Sequence, residues 1–229
     1  MKNFWLTVLA LLLFVAIALI FLFVLRDIIY QPSTVLTSTE CAPPCWNGIQ
    51  PGETTFTAVS DALWQMQGVD EQSINTGALL SAEEVESLSW FFKPPARDIS
   101  GTVYFENEIV TAISILTVNS LKIEDIFGLL GEPELVWPEI TPSSYGEPVE
   151  LSLIYPQEGF LVEVMLELKE GSSTVEIAEK TRVYRVVYFD PLKYQDLLAT
   201  RILIRRPPPT RQNSPQLWTG FGAIQVKGN

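Results

Sequence analysis

The sequence predicts an α+β domain of antiparallel β-hairpins with two or three helices packed on one face, placed behind an N-terminal transmembrane helix. Three observations carry that prediction. The chain opens with 22 residues, Phe4 to Leu25, that hold a single polar side chain, Thr7. Two later segments place apolar residues at helical spacing between capping signals. Around them, β-branched and aromatic runs come in pairs separated by short turns.

The opening run is long enough to cross a membrane. A helix of 22 residues rises about 33 Å, against a hydrocarbon core of roughly 30 Å. A cleaved secretory signal has a shorter apolar core and small residues at its cut site, whereas Leu25-Arg26-Asp27-Ile28-Ile29-Tyr30 offers none. A lipoprotein signal needs a small residue before its cysteine, and Cys41 follows Glu40. The reading is therefore an uncleaved signal anchor over residues 1–27. Lys2 and the terminal amine outweigh Arg26, which orients the N-terminus to the cytoplasm and residues 31–229 outside it. The two cysteines, Cys41 and Cys45, agree with that side, because an oxidising compartment joins such a pair.

Composition then removes whole classes of chemistry. The chain has 15 basic and 27 acidic residues. Setting aside Lys2 and Arg26 leaves a charge of about −14 from Asp27 onward. Such a domain repels phosphate backbones, so nucleic acid is not a partner. There is no histidine, which excludes Ser-His-Asp and Cys-His nucleophile systems and every His-containing zinc site. Two cysteines do not make a four-cysteine metal site. No phosphate-binding glycine motif is present. No catalytic residue, metal site or cofactor is assigned, and pairs such as Glu83-Glu84 or Glu106 and Glu108 read as solvated carboxylates.

Residues 28–40 form a Ser/Thr-rich spacer, and the domain proper spans 41–205. Pro51-Gly52-Glu53-Thr54 leads into Phe56, Val59, Leu63 and Met66, a helical stripe that stops before Gly68. Ser120 leads into Ile123, Ile126, Phe127 and Leu130, stopped by Gly131 with Pro133 beyond. A third helix starts at Asp190 with Pro191 in its first position and runs to about Thr200. Residues 102–105 and 109–115 form one hairpin, and 151–155 and 160–166 a second. Residues 85–92 and 183–189 supply two further strands. Pro207-Pro208-Pro209 then ends regular structure, leaving 206–229 as a tail.

The order helix, then hairpin, occurs twice, over 51–116 and 120–168. With Ile49-Gln-Pro-Gly52-Glu-Thr54 before the first helix, Leu130-Gly131-Glu-Pro133 after the second, and the hairpin Val103-Tyr-Phe-Glu-Asn-Glu-Ile-Val110, the chain resembles the repeat shared by β-lactamase inhibitory protein and the small outer-membrane assembly lipoproteins. These motifs cover about a fifth of the domain. The resemblance implies a scaffold that binds proteins rather than a catalyst, and it carries over no functional residue. The opening Cys41-Ala-Pro-Pro-Cys45-Trp46 also resembles bacterial membrane-anchored proteins of unknown function.

Two features are left as candidate sites. Cys41 and Cys45 read as a structural disulfide, with a redox pair and free thiols as rivals; C-x-x-x-C with two intervening prolines departs from the C-x-x-C of thioredoxin-like sites. Most of Trp46, Trp64, Trp90, Phe91, Phe92 and Trp137 are expected in the core. Trp218 and Phe221 stand apart in the proline-led tail, where they either fold back or insert into a partner. The sequence thus points to a membrane-anchored extracytoplasmic binding or adaptor domain that holds another envelope protein. An envelope thiol-redox protein or a carboxylate-dependent enzyme is the alternative.

Overall fold

The computed structural model describes residues 13–15, 17, 41–78, 86–94, 96, 99–140, 148–199 and 214–226. They divide into two units, residues 1–36 and 37–229. In the first, Leu13–Val15 and Ile17 are helical and exposed. No helix among the described residues is long and apolar enough to cross a membrane, and most of the expected anchor and all of the spacer lie outside the described residues.

The second unit is built on a nine-stranded, wholly antiparallel sheet in the order β1-β2-β3-β4-β9-β7-β6-β5-β10. Its strands are β1 (Asn75–Ala78), β2 (Glu86–Phe91), β3 (Ser100–Glu106), β4 (Ile109–Lys122), β5 (Leu135–Ile140), β6 (Pro148–Tyr155), β7 (Phe160–Glu167), β9 (Arg182–Phe189) and β10 (Gln216–Leu217). A separate two-stranded sheet pairs β8 (Thr174–Ile177) with β11 (Gly222–Gln225). The described helices are short: α1 (Phe56–Gln65), α2 (Ile123–Leu130) and α3 (Tyr194–Ala199).

This corrects the expected fold. In place of an α+β domain behind a transmembrane helix, the described residues form a mostly antiparallel β protein. α1, α2 and α3 fall within the segments expected to be helical, while the strands outnumber those expected. β1, β5, β8, β10 and β11 were not expected, and β4 runs on to Lys122 instead of ending near Ile115. Ser120 therefore belongs to a strand, and Asp125 caps α2 by accepting from the Lys122 N–H at 2.9 Å. The third helix begins as a 3-10 turn, Pro191–Lys193, with Asp190 accepting from the Leu192 N–H at 3.0 Å.

The topology is duplicated. α1 precedes β1–β4, and α2 precedes β5, β6, β7, β8 and β9. The last strand of each half, β4 and β9, meet antiparallel at the centre. Outward from that seam the order is β3-β2-β1 on one side and β7-β6-β5 on the other. A two-fold axis through the seam produces this relation, with β8 looped out to pair elsewhere.

Directly opposed residues share a face, so the register sorts the sheet into two surfaces. One is apolar throughout, with Trp90, Ile115, Val186, Val162, Leu153 and Val136 in one row, and Leu88, Val103, Ile113, Tyr188 and Phe160 in the next. All are buried. Phe56 of α1 lies against Phe105 at 5.0 Å and Trp46 against Trp90 at 5.5 Å on this side. Opposite Trp90 stands Gly101, where a Cβ would enter the indole ring; only glycine leaves that space. The other surface carries a second apolar cluster of Ala112, Trp137, Ile154, Leu161, Val187 and Phe189, with Tyr194 of α3 packed on it.

Candidate functional site

Cys41 and Cys45 form a disulfide, with Cα atoms 5.7 Å apart. The loop it closes feeds a tight reversal at Trp46–Ile49, where the two backbones exchange hydrogen bonds of 2.9 and 2.8 Å. Asn47 and Gly48 both have positive φ there, the conformation that an Asn-Gly turn adopts without strain. Cys45, Trp46 and Ile49 are all buried. Pro44 reaches the β6–β7 turn, beside Gly159 and Pro191. The loop thus closes one end of the sheet at the junction of its two halves, and a five-residue crosslink stabilises by about 2 kcal/mol on the loop-entropy estimate.

On the less apolar sheet face, Arg185 of β9 donates from Nε and Nη2 to both carboxylate oxygens of Glu163 on β7. Glu163 is fully buried and Arg185 nearly so. Glu150 on β6 adds a second carboxylate, 3.8 Å from Arg185 Nη2. Burial opposes the guanidinium charge, but the Glu163 carboxylate outweighs it and holds the Arg185 pKa above its ordinary value. The group is a structural ion pair that joins the second half of the sheet to the seam strand. Sequence reasoning missed it, although Glu163 stands between Phe160-Leu-Val162 and Val164-Met-Leu166, and Arg185 directly before Val186-Val-Tyr-Phe189.

The tail is part of the fold. β10 adds to the edge of β5, with Gln216 opposite Val136 and Leu217 opposite Leu135. β11 pairs with β8, burying Ile224 and Val226. Between these strands Trp218 and Phe221 return to α2 and meet Phe127. The ring centroids lie 5.8 Å apart for Phe127–Trp218, 5.1 Å for Phe127–Phe221 and 5.7 Å for Trp218–Phe221. The Trp218 N–H donates to the Glu134 carbonyl at 3.1 Å, while its indole Nε1 is enclosed without an acceptor. Phe221 keeps 38% of its surface exposed. The tail therefore folds back, with the Phe221 ring still partly exposed. Phe127, read from the sequence only as part of the second helical stripe, is the third ring.

Other aromatics divide as expected except two. Trp46, Trp90 and Trp137 are buried, whereas Trp64 on α1 and Phe91 at the end of β2 are about half exposed, at 54% and 55%. Among the described residues no cluster of three or more Asp, Glu, Cys or His side chains is arranged to hold a metal. Comparison with protein-family models, with curated proteins and with solved structures gives no match in any of the three.

Proposed function

We propose that this chain is a binding or adaptor domain, held at a membrane by its apolar opening and displayed outside the cytoplasm, that contacts another envelope protein. One observation carries the reading: a tail that completes two sheets leaves the Phe127–Trp218–Phe221 cluster half open at the rim. A purely structural tail has no need of an exposed ring there, and interface anchors are drawn from such aromatics. The apolar run Phe4–Leu25, the Lys2 bias and the disulfide support the placement. The resemblance to inhibitory and assembly proteins supports a partner that is itself a protein.

The test is a photo-crosslinking residue placed in living cells at position 221, and separately at Asp61 on the exposed side of α1. One dominant adduct from position 221 and none from 61 supports the reading. Adducts at neither position, or the same set at both, remove it. Protease added outside intact spheroplasts checks the placement: digestion of residues 41–229 is the expected result, and full protection reverses the topology.

A further inference from the structure

We infer that the partner segment received by the Phe127–Trp218–Phe221 surface is basic, an apolar or aromatic residue flanked by Lys or Arg. This rests on the binding-domain reading and adds the chemistry of the occupant. The stretch of chain from α2 to the end of β7 carries side-chain charge of one sign. Residues 123–168 contain ten acidic side chains and no basic one, and the described tail, 214–226, has no charged side chain.

Two exposed carboxylates, Glu132 and Glu134, sit at the cluster itself. Glu132 follows Gly131, whose N–H donates to the Phe127 carbonyl at 3.0 Å. Glu134 holds the Trp218 backbone through its own carbonyl. The C-terminal end of α2, which carries the negative pole of the helix, ends in the same place. Burial pushes the Tyr155 hydroxyl up, and Glu158 and Glu132 push it further, so these carboxylates act on one region of the surface. An aromatic face with carboxylates beside it attracts a cation twice, through the ring quadrupole and through charge. An acidic or neutral segment gains the apolar contact alone, and an acidic one is repelled.

The experiment uses the full chain in detergent micelles and three fluorescein-labelled peptides read by anisotropy. The first is Lys-Lys-Leu-Phe-Lys-Lys, the second carries Gln for every Lys, and the third Glu for every Lys. The expected order is basic, then neutral about tenfold weaker, then acidic with no binding. The pair Glu132→Gln with Glu134→Gln should weaken the basic peptide about tenfold and flatten its salt dependence. The remote pair Asp61→Asn with Glu170→Gln should leave it unchanged, which separates local recognition from the general field of an acidic domain. Basic and neutral peptides binding alike, with Phe221→Ala weakening both, overturns the basic partner and leaves the docking surface standing. Binding that Phe221→Ala does not alter, in a variant with an unchanged circular dichroism spectrum, overturns both.

Discussion

Glu163 and Arg185 stand directly opposite one another on β7 and β9, and they close a two-pronged ion pair inside the sheet. The pairing matters because β7–β9 is the contact through which the second half of the sheet reaches the central seam. Taking both charges out of water costs several kcal/mol, which mutual attraction offsets only while the geometry is intact. Removing one partner leaves the other buried. Glu163→Leu should therefore destabilise by about 3–5 kcal/mol, and Arg185→Met by a similar amount. The double variant Glu163→Leu/Arg185→Met should recover most of the loss, with Glu150 the remaining charge. Urea denaturation of the three variants measures this, and a double variant no better than the worse single one would refute it.

Gly101 fixes the packing of Trp90. Because the indole occupies the space where a Cβ would stand, Gly101→Ala must displace either the ring or β3. Overpacking of that kind costs about 3 kcal/mol in a rigid core. Replacing the ring as well, in Gly101→Ala/Trp90→Leu, should be less damaging than the two single losses summed, since the clash is then absent. Additive losses in the urea midpoints would show that the clash relaxes elsewhere.

The β3–β4 turn holds a conformation that suits one of its two residues poorly. Asn107 and Glu108 have φ of 51° and 63°, the pattern of a two-residue hairpin turn that favours Asn-Gly. Asparagine tolerates the left-handed region and glutamate does not. Glu108→Gly should stabilise by about 0.5–1 kcal/mol, reduced somewhat by the entropy of the unfolded glycine. The backbone contacts of the turn, including the Phe56 N–H donated to the Glu108 carbonyl at 2.8 Å, do not depend on the side chain. The check is a rise in Tm of about 2 °C; a fall would mean that the Glu108 carboxylate has a use of its own.

How much of this was legible depends on whether a feature is local. The Phe56–Val59–Leu63 stripe and the Pro51-Gly52-Glu53-Thr54 lead-in lie within a few residues of each other, and α1 is found where they place it, capped by Thr55 and with Val59 and Leu63 buried. The hairpins around Asn107 and Gly159 were read from adjacent runs for the same reason. β5 was missed because Pro133 and Pro138 interrupt its pattern; it is tolerated because Pro138 lies in a strand near the sheet edge, where one side of the ladder is lightly used. β8 and β11 are four residues each and pair with one another across β9, α3 and β10. The closing of β4 on β9 is non-local too, and with it the ion pair. Phe127 reads from the sequence as one of a helical stripe, and its ring partners, Trp218 and Phe221, reach it only through the tail.

Alkaline pH should unfold the domain through its buried tyrosines. Burial raises Tyr188, and burial together with Glu158 and Glu132 raises Tyr155, both well above the ordinary value of 10.0. The folded pKa values exceed the unfolded one, so the folded state binds protons more tightly in that range. Stability is therefore complete below about pH 10 and falls as pH rises beyond it. With no histidine in the chain, no side chain of ordinary pKa near neutrality titrates between them. Absorbance near 295 nm should show these tyrosines ionising together with loss of circular dichroism. Tyr188→Phe, which removes the hydroxyl, should move the transition to higher pH. Ionisation of all seven tyrosines at the ordinary value with the fold intact would contradict the burial.

Removing the tail should damage the fold more than it damages any contact surface. Ile224 and Val226 are buried at 4% and 0% exposure, and Ile224 stands opposite Val175 in the β8–β11 ladder. Loss of two buried aliphatic side chains, each worth about 1.5–3 kcal/mol, predicts that deleting residues 214–229 costs about 4 kcal/mol. Phe221→Ala gives up a ring that already keeps more than a third of its surface in water, so its cost should stay near 1 kcal/mol. Trp218→Phe should be milder still than Trp218→Ala, because it keeps a ring beside Phe127 while removing an enclosed indole N–H that has no acceptor. Thermal unfolding of these variants ranks them. If deletion costs no more than Phe221→Ala, the β8–β11 ladder contributes little and the tail is held by its aromatics alone. The ranking also decides which variant is a sound control for partner binding, since a deletion that unfolds the β8 region removes the surface along with the segment under test.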